Sequence, residues 1–315
     1  MISLVARRCE AAASVTTSAL RLSRRRDVDL LSDFIHWLSK RPRWAVGLTA
    51  IYFLATSLPH DVGQQATFRA YDLFSKRTVD IAFLAFAAIM LIGTAWFCSK
   101  RLRIASRHGS LGVLTCLGIL WLVLSAGAYR WLFYTIAEVI HFPQYAVLAV
   151  LLFAVTGSHA RTMFGVILLA ILDEAYQYWF IYNPRFPSLL DFNDVLFDAL
   201  GGAAACLLLH LDGATHRVPS RPVCWRRSPM LWGPLVVIAI AVGLHSAGVL
   251  GLYPDLEEGE RTIQLSRQAM NPYWRTTPHG RVLHNLRPWE AVPLLALIVV
   301  MIGSLDRDAK NRPTK

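Results

Sequence analysis

The chain has 315 residues, of which 55% are hydrophobic and only 17% charged, and its mean hydropathy is +0.41. Soluble domains carry about 25% charged residues, so this composition argues against an ordinary soluble domain. The net charge of +11 would suit a nucleic-acid binder, but the basic residues fall in alternate loops between apolar runs, which is the pattern of membrane topology and not of nucleic-acid binding.

Residues 1–43 are rich in Arg and Ser and poor in acids. No apolar core of signal-peptide type precedes Trp44. The segment is expected to be a cytoplasmic basic arm lying on anionic lipid headgroups, each basic residue contributing about 1 kcal/mol near the surface; a transit peptide has a similar composition. Eight apolar runs follow, at 44–58, 79–98, 111–129, 139–157, 162–181, 192–211, 231–253 and 289–305. Most are long enough to cross about 30 Å of hydrocarbon as helix. Alternating strands of the outer-membrane barrel type are absent, so the expected fold is an all-α polytopic bundle of about eight spans. Pro143 stands near the start of the fourth, where proline is tolerated. Gly201 and Gly202 in the sixth suit close helix contact.

The organisation expected is the arm 1–43, a transmembrane core 44–211, a cytoplasmic loop 212–230, and 231–315 with two further spans around an outer loop 254–288. Of the 32 Lys and Arg residues, 22 fall on one side of this arrangement and ten on the other. The positive-inside rule then puts both termini in the cytoplasm of a multi-pass protein of the cell (inner) membrane. The five cysteines make no CxxC pair and none lies in an outer loop, so no disulfide framework and no zinc site are expected. No P-loop, GxGxxG or GxSxG motif occurs and no cofactor is implied.

The informative residues are ionisable groups inside or at the mouths of spans four to six. On insertion scales each costs roughly 2.5–3.5 kcal/mol within a span. Glu138, His141 and Tyr145 are spaced i, i+3, i+7, as are Asp191, Asp194 and Asp198. Asp173 and Gln177 are at i, i+4, with Glu174 beside them. Helical spacing puts each set on one face. The topology, assigned from Lys and Arg alone, places all of them in the outer half of the membrane. Arg185, in the outer turn, and Arg130, at the end of span three, are the expected charge partners. Solvated helix ends, with Asp191 as an N-cap, or a structural salt bridge locking the helices together would use the same residues.

The run Glu-Val-Ile-His-Phe-Pro-Gln-Tyr (138–145), then Asp-Glu-Ala-Tyr-Gln (173–177), Arg185, and Asp-Phe-Asn-Asp-Val-Leu-Phe-Asp-Ala-Leu-Gly (191–201) resembles the VanZ-like family. The span ending Ser-Leu-Pro before His60 looks like its first helix. The specific resemblance covers about 138–211, and Asp198 stands where the family usually has Asn. What the resemblance implies is a cell-envelope membrane protein related to one that lowers susceptibility to a glycopeptide.

Three functions are compatible with these residues. The first is an outward-facing acidic pocket that binds an amphiphilic envelope lipid or a glycopeptide-like ligand without catalysis. The second is a membrane-embedded hydrolase or transferase acting on a lipid-linked envelope substrate, with paired carboxylates and a histidine doing acid–base work. The third is a proton-coupled transporter, against which stands the absence of repeat symmetry and of polar residues expected in the cytoplasmic half.

Overall fold

The computed structural model describes residues 30–107, 111–181, 190–218 and 280–310, with short pieces between 239 and 276. Ten helices are described: α1 (Leu30–Ser39), α2 (Pro42–Ser57), α3 (His60–Phe74), α4 (Lys76–Arg107), α5 (Leu111–Trp131), α6 (His141–Thr156), α7 (His159–Tyr176), α8 (Phe192–Leu211), α9 (Ala214–Arg217) and α10 (Pro288–Lys310). A 3₁₀ turn, Ile136–Ile140, leads into α6, and a π turn, Gln177–Ile181, ends α7. Among the described residues, β structure is confined to two antiparallel hairpins, β1 (Gly251–Pro254) with β2 (Arg261–Gln264), and β3 (Trp274–Thr276) with β4 (Val282–His284).

Among the described residues, five segments are long and apolar enough to cross a membrane: Lys76–Leu102, Leu111–Trp131, Ile136–Thr156, Phe192–Leu211 and Pro288–Asp308. The fold is that of a helical membrane protein. The first expected span is a helix of 16 residues, which at 1.5 Å rise per residue is short for about 30 Å of hydrocarbon. The fifth is helical but carries Asp173 and Glu174. The seventh lies largely outside the described residues. Its expected end at 253 is corrected, because Gly251–Pro254 is a strand: Pro254 drives the residue before it to extended backbone. The basic arm is also corrected at its end. Residues 30–39 form α1, whose Ile35 and Leu38 pack against Leu151, Phe153, Ala154 and Leu209.

Helix α8 is the axis of the bundle. Sixteen of its 20 residues are buried, and it packs on α4, α5, α6, α7 and α10. Its sequence permits this: from Ala199 to Leu209 it is apolar on all sides, and the run Ala199–Ala205 is small-residue-rich, with Gly201 and Gly202 at its middle. A Cβ on Gly201 would lie 2.9 Å from the Phe142 Cα of α6, and one on Gly202 would lie 2.9 Å from Val166 Cγ1 of α7. Two bare positions thus set the approach of both neighbouring helices. Trp121 of α5 donates its indole N–H to the Leu200 carbonyl at 2.8 Å, which fixes α5 against the same point. Helices α4 and α5 leave Ile89, Leu91, Ile92, Ile119, Leu122 and Val123 exposed, an apolar surface that a bilayer covers.

Candidate functional site

The site is built where α6, α7 and α8 meet. His141 opens α6, and its Nδ1 lies 2.9 Å from Asp198 Oδ1 on α8. Its Nε2 faces Asp194 Oδ2, one turn earlier on α8, at 3.8 Å. Tyr145, one turn further along α6, donates its hydroxyl to Asp173 Oδ2 of α7 at 3.1 Å. Glu174 accepts from the Gln177 amide at 3.0 Å. Asp191, Asp194, Asp198 and Asp173 are the carboxyls that act on Glu174 electrostatically. His141, Tyr145, Asp173, Glu174, Gln177 and Asp198 are buried, and Asp194 is half-buried. Phe197 closes the floor, with Phe133 edge-on at 4.3 Å between ring centroids and Phe142 stacked at 6.4 Å.

The π turn gives Gln177 its place. An α-helix ending at Tyr176 would rotate the next residues by about 100° each; the wider turn keeps both Gln177 and Tyr178 buried. Such turns are frequent at functional sites.

Burial makes the arrangement chemically unusual. A carboxylate removed from water needs a proton, a cation or several hydrogen-bond donors. Yet Asp173 Oδ1 and Asp198 Oδ2 are buried with no hydrogen-bond partner. Among the described residues no Lys or Arg forms an ion pair with Asp173, Glu174, Asp194 or Asp198. His60, at the start of α3, is a further neighbour, since both His141 and Asp173 act on it electrostatically. Burial lowers the His60 imidazole below its ordinary value, and the His141 charge lowers it further, against opposing effects of Asp173 and Asp61.

Three of the residues expected at the site are placed elsewhere or otherwise occupied. Glu138 lies in the 3₁₀ turn and its carboxylate bonds to the amides of Tyr134 and Thr135, completing a capping box with Thr135. A T-x-x-E spacing puts a carboxylate back on its own turn, which is why Glu138 does not extend the α6 face. Asp191 is the N-cap of α8, accepting from the Asn193 amide at 2.9 Å. Arg130 is exposed at the end of α5, where a cation suits the helix dipole; no ion pair joins it to the acids among the described residues. Arg185 lies outside the described residues.

Two further groups were not visible from sequence patterns. Asn193, buried, donates its amide to the carbonyls of Leu132 and His284 and accepts from the Leu286 amide, which ties the α5–α6 turn and β4 to α8. At the opposite end of the bundle, Asp306 of α10 accepts from the Ser158 hydroxyl at 2.7 Å and from the His159 and Ala160 amides. Nearby His210 Nε2 lies 2.9 Å from Asp308 Oδ2, His159 Nε2 lies 2.9 Å from the Thr215 hydroxyl, and Arg101 forms a buried ion pair with Asp212 at 2.5 Å. The end read as cytoplasmic is therefore polar as well, contrary to the expectation used against a transporter. The layer of α8 between the two ends is apolar, from Ala199 to Leu209.

Comparison of the chain with protein-family models, with curated proteins and with solved structures returns no match.

Proposed function

We propose that the protein is a VanZ-like membrane protein of the cell envelope, with both termini in the cytoplasm of about eight spans in the inner membrane, whose α6–α7–α8 cluster is an outward-facing binding site for an amphiphilic envelope component. The observation that carries this reading is the pair of buried carboxylate oxygens left without partners beside a histidine–aspartate pair. A structural salt bridge saturates its own groups, whereas this cluster retains unused acceptors. The resemblance at 138–145, 173–177 and 191–201 supports the same region.

The test is lipid analysis of the purified chain beside complementation of a deletion strain. The wild type should carry an amphiphile enriched over bulk membrane, and Glu174→Gln should lose both the enrichment and complementation while staying folded. A lipid profile identical to bulk membrane would refute the reading. Cysteines introduced at positions 61 and 265 should label from outside; labelling only in inverted vesicles would refute the outward orientation.

A second reading rests on one observation. The His141 Nδ1–Asp198 contact orients the ring as in acid–base pairs, with Nε2 turned to the Asp194 side. This favours a hydrolase or transferase on a lipid-linked substrate, and product formation lost in His141→Gln, but retained in Glu174→Gln, would select it.

A further inference from the structure

We infer that the α6–α7–α8 site takes a primary ammonium group supplied by its ligand. This rests on reading the cluster as a binding site and names the chemistry of what it binds.

Of four neighbouring carboxyl groups, those of Asp194 and Asp198 contact the His141 imidazole, while those of Asp173 and Glu174 are met by the neutral Tyr145 and Gln177 side chains, with His60 further off on the Asp173 side. One histidine neutralises at most one of them. Tyr145 and Gln177 each satisfy one oxygen. Asp173 Oδ1 and Asp198 Oδ2 are buried acceptors without a hydrogen bond of their own, and the one hydroxyl near both residues, that of Tyr145, is given to Asp173 Oδ2. Tyr145 is the neighbour they share, for it feels Asp198, Asp173 and Glu174 together. A buried acceptor left unsatisfied costs about 1–3 kcal/mol, and more when charged. The deficit is therefore of donors and of positive charge at one place.

Candidate occupants differ in what they supply. A metal ion needs ligands converging to about 2.0–2.6 Å, and no group of three or more His, Cys, Asp or Glu residues among the described residues converges closely enough. A quaternary ammonium brings charge without N–H. A primary ammonium brings a charge and three donors that reach oxygens at about 2.7–2.9 Å in three directions, which suits acceptors on separate helices. Charge-assisted bonds of this kind are roughly twice as strong as neutral ones.

The test uses the full chain in a non-ionic detergent, with thermal midpoint followed by tryptophan fluorescence. The probes are dodecylammonium, dodecyltrimethylammonium, dodecanol, ethylammonium and calcium. Dodecylammonium should raise the midpoint saturably. Asp173→Asn should weaken its apparent affinity at least tenfold, and Asp198→Asn serves as the second variant, each checked for fold by circular dichroism. Dodecyltrimethylammonium, with the same charge and chain, should give no saturable shift. Saturation by ethylammonium at similar concentration also supports the inference and assigns the group to a soluble amine, which counts against an amphiphile.

An equal response to both dodecyl cations overturns the inference, because charge alone then suffices. A response to calcium alone overturns it in favour of a metal. A response to dodecanol alone overturns it and leaves the amphiphile reading standing; no response to any probe removes both. A response to dodecylammonium seen only in Arg185→Gln also overturns it, since the cation is then the chain's own.

Discussion

Gly201→Ala tests how closely packing and site are joined. The added Cβ would sit 2.9 Å from the Phe142 Cα and 3.0 Å from its carbonyl carbon, with the carbonyl oxygen nearer still. Carbon atoms in contact prefer about 3.5–4.0 Å, so roughly 0.5–1 Å must be found. The obstacle is the backbone of α6, which cannot rotate aside as a side chain can. Helices α6 and α8 must separate, and the residue just before Phe142 on α6 is His141, held 2.9 Å from Asp198. Stretching that contact by half an ångström takes it beyond the usual hydrogen-bond range of about 2.7–3.2 Å. Overpacking of this kind costs about 1–3 kcal/mol, partly offset by the gain of about 0.5–1 kcal/mol from removing glycine inside a helix. At about 2–4 °C per kcal/mol for a chain of this class, the thermal midpoint in detergent should fall by several degrees. Gly202→Ala meets the Val166 side chain and not a backbone, and should cost less. Gly93→Ala, with nothing within 4 Å, should be neutral or slightly stabilising. If Gly201→Ala behaves like Gly93→Ala, the close approach of α6 and α8 is not what sets the geometry of the site.

Two other outcomes follow from contacts described above. Asp306→Ala removes the cap from the α7 N-terminus, where loss of a capping side chain costs about 0.5–2 kcal/mol; Asp306→Asn should recover part of the loss, and a midpoint unchanged in both would rule out the cap. His60 is neutral in the folded chain over a range where the unfolded chain binds a proton, because burial lowers its value; stability owed to it is present above about pH 6.5 and is lost as pH falls toward the lowered value. The wild-type midpoint should therefore fall more steeply than that of His60→Gln between about pH 7 and 5, and parallel curves would contradict the burial of the ring.

The sequence showed which residues share a helix face, and not which faces meet. Local spacing is read directly, so the i, i+4 relation of Asp173 to Gln177 and the i, i+4 step from Asp194 to Asp198 were visible. Glu138 obeyed the same spacing and still turned away, because Thr135 three residues earlier offered it backbone amides. The pairing of α6 with α8 was only suggested, by Gly201 and Gly202, since the partners in the His141–Asp198 contact are 57 residues apart. The polar end around His159, His210 and Asp306 had no local signature: the bonds that His159, His210 and Ser158 make to Thr215, Asp308 and Asp306 join residues 56 to 148 positions apart. Single-sequence reading sees a helix face, not the face opposite it.

The Asp306 cap has a consequence for biogenesis. The amides it holds, those of His159 and Ala160, are synthesised 147 and 146 residues before it. Until α10 is made, the first turn of α7 must be served by water or lipid headgroups, and the groove between α7 and α8 stands open to the bilayer. Closure of the bundle is then a late event, triggered by a carboxylate that arrives on the last described helix and engages the fifth expected span. A nascent chain that stops short of Asp306 would have its binding helices made but the first turn of α7 not yet capped from α10.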